Sequence, residues 1–175
     1  AVVAYDGTDY FGFQRQASAP TVQETLECAL GHVTREEVRV LAAGRTDAGV
    51  HAEGQVIAFD TGWEHGPGVL KRAVNATLPL DVVVRTVAVA TASFHPRFDA
   101  RSRRYRYVIY NSRVRSPLTR RYSLHVANKI DVDAMKRAAD QLVGERDFAS
   151  FGRAPQGKNT VRRVLSVDWM VQLPW

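Results

Sequence analysis

The chain has 175 residues, 45% of them hydrophobic, and a formal net charge of +6, enough to bury one ordinary core or two small packed ones. No run approaches the roughly 18 apolar residues of a membrane span, and the opening Ala1-Val2-Val3-Ala4 lacks the basic leader and cleavage site of a signal peptide. The single cysteine, Cys28, has no second cysteine for a disulfide and no companions for a structural zinc, which points to a reducing, cytoplasmic setting without a membrane.

The chain begins without a methionine, so residues upstream are expected. Val2-Val3-Ala4-Tyr5 reads as a strand closed by the turn pair Asp6-Gly7. After Pro20, Thr21 and Glu24 form a capping box, and Val22, Leu26, Ala29, Leu30 and Val33 repeat at helical spacing. Cys28 falls inside this helix as a small buried thiol. Two strands follow, Val38 to Leu41 and Gln55 to Phe59. Gly68 to Thr77 is a second helix, stopped by Leu78-Pro79, with Val69, Leu70, Ala73 and Val74 on one side. Val82 to Val89 is a valine-rich strand. The order β-α-β-β-α-β is the ferredoxin-like split arrangement.

The pattern restarts after Phe94. Arg103 to Tyr110 reads as a strand, with Tyr105, Tyr107 and Ile109 on one face and Arg104, Arg106 and Val108 on the other. Asp131 to Val143 is a helix capped by Asp131 and stopped at Gly144. Gly144 to Thr160 reads as a mobile loop, and Val161 to Leu173 as a long alternating strand. The expected class is therefore α+β: two ferredoxin-like halves, residues 1–93 and 94–175, in a mixed, largely antiparallel sheet with helices on one face. The second half lacks its last strand, helix and strand, so the chain is expected to be incomplete at its C-terminal side.

Charge distribution adds a partner class. Arginine outnumbers lysine 20 to 4, and nine arginines lie between Arg97 and Arg121. A planar guanidinium suits bidentate phosphate contact and stacking on bases, so this run suggests a nucleic acid; a solvated arginine-rich surface would have the same composition.

The stretch AAGRTDAGVHAEGQ, residues 42–55, is longer than a hairpin between two strands requires. Gly44 and Gly49 free the backbone to present Asp47, and Arg45 beside it can hold a carboxylate ionised or reach a phosphate. A positioned carboxylate is a competent nucleophile toward a sugar carbon. An Asx-turn at Asp47, with Arg45 covering a helix end, is the structural alternative. His51 is read as bracing this loop rather than binding metal, since no second histidine or acidic cluster accompanies it or His95. Tyr10, Phe11 and Phe13 suit either RNA stacking or core packing.

The segment AGRTDAGVHA resembles the active-site signature of the TruA family of tRNA pseudouridine synthases. AYDGTDYFGFQRQ (4–16), TVQETLECAL (21–30), AVNATLP (73–79), FHPRFDARSRRYRYVIYN (94–111), DFASF (147–151) and TVRRV (160–164) resemble further family segments in the same order. Phe13 stands where the family usually has tryptophan, and FHPRF where it has FHARF, which leaves His95 and Arg97 in place. A basic active-site residue of the family lies on a strand beyond residue 175.

The resemblance implies an isomerase that converts uridine to pseudouridine at positions 38–40 of the tRNA anticodon stem-loop, with no metal and no cofactor. It implies Asp47 as nucleophile, Tyr105 as the residue packed on the uracil, and Arg45 as the residue that manages the flipped base. Arg15, Arg97, Arg101, Arg103, Arg104 and Arg106, with His51, are the expected RNA contacts. Homodimers sharing one tRNA are implied, and these 175 residues alone are expected to be inactive. Two other readings fit the same residues: a non-catalytic RNA-binding module of ferredoxin-like fold, and a glycoside hydrolase using Asp47 with Glu53.

Overall fold

A computed structural model describes residues 1–152 and 159–171. The chain is mixed α+β, with antiparallel pairing in its main sheet and three α-helices among the described residues. It divides into two compact units, Ala1–Arg106 and Tyr107–Trp175.

The first unit runs β1 (Val2–Tyr5), α1 (Val22–Thr34), β2 (Leu41–Ala42), β3 (Ala52–Ala58), α2 (Pro67–Thr77) and β4 (Val82–Thr86). Its sheet has the order β2-β3-β1-β4, and each neighbouring pair is antiparallel. Period-two burial puts Val3 and Tyr5 of β1, Ile57 of β3, and Val82 and Val84 of β4 into one cluster. Val22, Leu26, Ala29 and Leu30 of α1 and Leu70 and Val74 of α2 fill the same cluster. Thr21 caps α1 by accepting from the Glu24 N–H at 3.4 Å, as the sequence spacing suggests. Val69 is 40% exposed, so α2 anchors through Leu70 and Val74 instead.

Four readings change, three within this unit and one that runs past its end at Arg106. Val38 and Val40 are buried but lie outside β2. The reason is local: Glu27 accepts the Val40 N–H at 3.0 Å and Gln23 donates to the Val40 carbonyl at 3.2 Å. Side chains of α1 thus take the groups a ladder would need. β3 begins at Ala52 rather than Gln55, which shortens the connecting loop, and β4 ends at Thr86. Cys28 is exposed; at 100° per residue it stands far round the helix from Leu26 and Leu30. The fourth change concerns Arg103 to Tyr110. Only Ile109–Asn111 is a strand, and Arg101–Tyr107 is exposed and unladdered. Without a partner strand the alternation of tyrosine and arginine has no sheet faces to sort onto.

The second unit contains β5 (Ile109–Asn111) paired parallel with β6 (Leu124–Val126), then α3 (Val132–Asp140). Asp131 caps α3 by accepting from the Ala134 N–H at 2.9 Å. The helix ends before Val143 because Gln141, Leu142 and Val143 donate to carbonyls three residues back, closing a tighter turn. β7 (Gly144–Asp147) then pairs antiparallel with β8 (Val161–Val164). Gly144 to Thr160 is therefore not wholly a loop: its charged start is a strand, with Glu145 opposite Arg163. Residues 153–158 of that stretch lie outside the described residues, as do Gln172 and Leu173 of the expected long strand, which is seen over Val161–Val164.

Candidate active site

The β3 end of the β2–β3 connection is held by the pairing of Ala52 with Tyr5 of β1, and its β2 end is held against the middle of β3. The Ala43 N–H donates to the Val56 carbonyl at 2.9 Å, and the Gln55 side-chain amide donates to the Gly44 carbonyl at 2.6 Å. Between these ends the loop is held by the segment following β1. The Tyr5 hydroxyl meets the Thr46 hydroxyl at 2.8 Å. The Phe13 N–H donates to the Thr46 carbonyl at 2.9 Å, and the Gly49 N–H donates to the Tyr10 carbonyl at 3.1 Å. Asp47 to Val50 is a β-turn closed by the Val50 N–H on the Asp47 carbonyl at 3.2 Å, with Gly49 at φ 77° in its third position.

The approach of these two segments depends on Gly7 and Gly12 more than on the loop's own glycines. A Cβ at Gly12 would lie 2.8 Å from the Thr46 carbonyl oxygen, and its φ is +96°. A Cβ at Gly7 would lie 2.1 Å from the Val50 carbonyl oxygen. Only a hydrogen fits at either place.

Tyr5 is 4% exposed and Phe13 2%, so both belong to the core, as does Tyr10, whose hydroxyl donates to Asp81 at 3.0 Å. Burial holds the Tyr5 and Tyr10 phenols above their ordinary range. Phe11 is 59% exposed. His51 ties the far end of the loop to the first turn. Its Nδ1 lies 3.1 Å from the Gly7 N–H and 2.9 Å from Asp6 Oδ1. One nitrogen accepts from the first or donates to the second, and either bond holds His51 to the same turn. This is the bracing role expected from the sequence.

Asp47 stands at the tip of this tethered loop. It is exposed, and among the described residues no hydrogen bond or ion pair reaches its carboxylate. Arg45 is exposed as well and forms no ion pair with Asp47, so the expected pairing of the two is not made here. The carboxylate is thus open to an incoming group while its backbone is held on both sides.

The arginines separate into bound and open ones. The Arg103 guanidinium donates to the Ala43 carbonyl at 2.6 Å, which joins the 101–106 segment to the loop. Arg106 pairs with Glu53 at 2.7 Å. A Glu53 so engaged is poorly placed to act as the second carboxylate of a hydrolase. Arg15 pairs with Glu24 at 3.5 Å and Glu27 at 3.3 Å. Arg97 lies 5.8 Å from the Phe98 ring. Arg101 and Arg104 are exposed without a partner among the described residues, and Tyr105 is 83% exposed. The sequence reading missed Tyr5, Thr46, Gly7 and Gly12 as supports of Asp47. The signal available was the pair of glycines in DGTDYFG, seven to twelve, which a single turn does not require.

A family model described as tRNA pseudouridine synthase matches residues 1–99, more than half of the chain and the whole of the tethered loop. The chain belongs to the tRNA pseudouridine synthase family. The match ends before Tyr105. Among relatives of the same description, the chain is similar to "tRNA pseudouridine synthase A" of Brevibacillus brevis, 51% identical over 150 residues covering 86% of this chain and 62% of the relative. It is 48% identical to the Shewanella sp. protein of that name over 167 residues, 95% of this chain and 64% of the relative. The Geobacter sulfurreducens protein of that name is 45% identical over 168 residues, 95% of this chain and 69% of the relative. The chain thus spans a little under two thirds of the first two relatives of the synthase family.

Proposed function

We propose that the complete protein isomerises uridine to pseudouridine in tRNA, at positions 38–40 of the anticodon stem-loop, with Asp47 as nucleophile. The observation that carries the reading is the unpartnered Asp47 carboxylate on a loop tied down on both sides, in a chain of the tRNA pseudouridine synthase family. The carboxylate attacks the sugar of the flipped nucleotide, and the bond from C1′ to uracil N1 breaks. The uracil turns within the pocket, its C5 bonds to C1′ as the carboxylate leaves, C5 gives up its proton, and N1 ends protonated. The product is an isomer, so atoms and electrons balance without a co-reactant. Such a step needs an ionised, placed nucleophile and a target base removed from its stack.

In this reading Arg45 displaces and holds the flipped base, and Tyr105 packs on the uracil ring. Arg97, Arg101 and Arg104 take phosphates, since each presents its guanidinium to solvent. The same reading gives two ferredoxin-like halves, 1–93 and 94–175, a cytoplasmic homodimer, and no cofactor.

Pseudouridine has the mass of uridine, so the test follows the C5 proton. Full-length protein is expected to release tritium from tRNA carrying C5-labelled uridine. Asp47→Asn should slow that release at least about a thousandfold, ~4 kcal/mol of transition-state stabilisation. Release at the wild-type rate by the asparagine variant would remove Asp47 from the chemistry.

A further inference from the structure

We propose that Arg103 is a positioning residue for the Asp47 loop and not a phosphate contact. The inference rests on the function proposed above for Asp47 and deepens it. Its grounds are geometric. Ala43 is 9% exposed and sits where the β2–β3 ladder ends. Its N–H is taken by Val56, and its carbonyl would lack a donor without Arg103. A buried carbonyl left unpaired costs about 1–3 kcal/mol. Arg103 Nη2 supplies the donor at 2.6 Å, a short, charge-assisted bond.

A second observation concerns the rest of the same side chain. A Cβ at Gly44 would lie 3.4 Å from Arg103 Nε and 3.9 Å from its Cδ. The arginine side chain therefore passes alongside the Gly44 backbone, at van der Waals distance from where a Cβ would stand. The same Nη2 also approaches the Arg97 carbonyl at 3.5 Å. That carbonyl belongs to a turn closed by the Asp99 N–H on the His95 carbonyl at 3.0 Å and the His95 N–H on Asp99 at 2.8 Å. One guanidinium joins two rigid pieces of backbone just before the Arg45-Thr46-Asp47 run. A lysine, with a single compact charge, does not reproduce a fork laid along a glycine. Arg101 and Arg104, close by in sequence, make no such bond and are the contrast.

The experiment uses full-length protein, tRNA and hydrogen exchange. Arg103→Gln should lower kcat for pseudouridine formation at least about tenfold and leave KM for tRNA within about twofold. It should also speed amide exchange at residues 44–50 at least about fivefold. Arg103→Lys should behave as Arg103→Gln does, and Arg104→Gln should raise KM while leaving loop exchange as it is. Unaltered exchange at 44–50 in both Arg103 variants overturns the proposal whatever the kinetics do. A raised KM at wild-type kcat makes Arg103 a phosphate contact and overturns it as well, as does a lysine variant equal to wild type. If wild-type protein forms no pseudouridine, the reading of Asp47 fails, and the exchange measurement still decides the role of Arg103.

Discussion

The phenol of Tyr5 starts among core side chains and ends on the Thr46 hydroxyl, one residue before Asp47. Tyr5→Phe keeps the ring and loses that bond, so stability should fall by about 1 kcal/mol, read from a urea midpoint at unchanged slope. The phenol also has a pH signature. Burial raises its pKa in the folded protein above the unfolded value of about 10. The folded state then holds the proton more tightly than the unfolded one. Its contribution is whole below about pH 10 and falls as pH rises beyond that. Tyr10, raised by the same cause, adds to the fall. Stability measured from pH 8 to 11 should drop more steeply above 10 in wild type than in Tyr5→Phe; equal slopes would mean that Tyr5 does not titrate late. Val2 to Tyr5 was legible from sequence as a strand, whereas the hydroxyl's partner lies 41 residues away and left no local mark.

At the scale of elements, local signals carried well and distant ones did not. Thr21 and Asp131 cap α1 and α3 because a cap is an exchange between residues three apart. The strand expected at Arg103 to Tyr110 shrank to Ile109–Asn111 because a strand exists only beside another. The opposite error occurred at Gly144–Asp147, where charge hid a strand whose partner begins at Val161. The candidate site shows the same division: Asp47 was readable as a placed carboxylate, but Arg103 looked like one more cation in a basic run. The packing of β1's following turn on the loop gives a prediction at this scale. Gly12→Ala would force a Cβ against the Thr46 carbonyl oxygen at a positive φ, and should cost about 2 kcal/mol or more. Gly68→Ala is the control: it lies in α2 with nothing within 4 Å of its added Cβ, and should stabilise by about 0.5–1 kcal/mol. Thermal or urea unfolding of the two variants against wild type tests the sign of each; a neutral Gly12→Ala would show that the two segments do not meet closely.

For the whole molecule, the proposed tRNA substrate together with a net charge of +6 carried mostly by arginine should make affinity a function of salt. The logarithm of the binding constant should fall linearly with the logarithm of salt concentration. Arg101 has no partner among the described residues, and Arg101→Gln should make that line shallower by about 0.7–0.9. Arg106 is already paired with Glu53, so Arg106→Gln should change the slope by less. Titrations of tRNA at several salt concentrations separate the two, and equal slope changes would assign Arg106 to the phosphates as well.

The tethers of the Asp47 loop also set an order of events. Tyr5 reaches it across 41 residues, Gly7 across 44, and Arg103 across 60. Closing such spans is entropically slow compared with winding α1 or α2. On the ribosome, β1 leaves the exit tunnel long before Arg103 is synthesised. The core of the first unit needs β4, which ends at Thr86. The nascent chain therefore holds a formed core and an unfinished loop for the time that roughly the last seventeen codons before Arg103 take to be read, and the carboxylate acquires its final anchorage only when that arginine emerges.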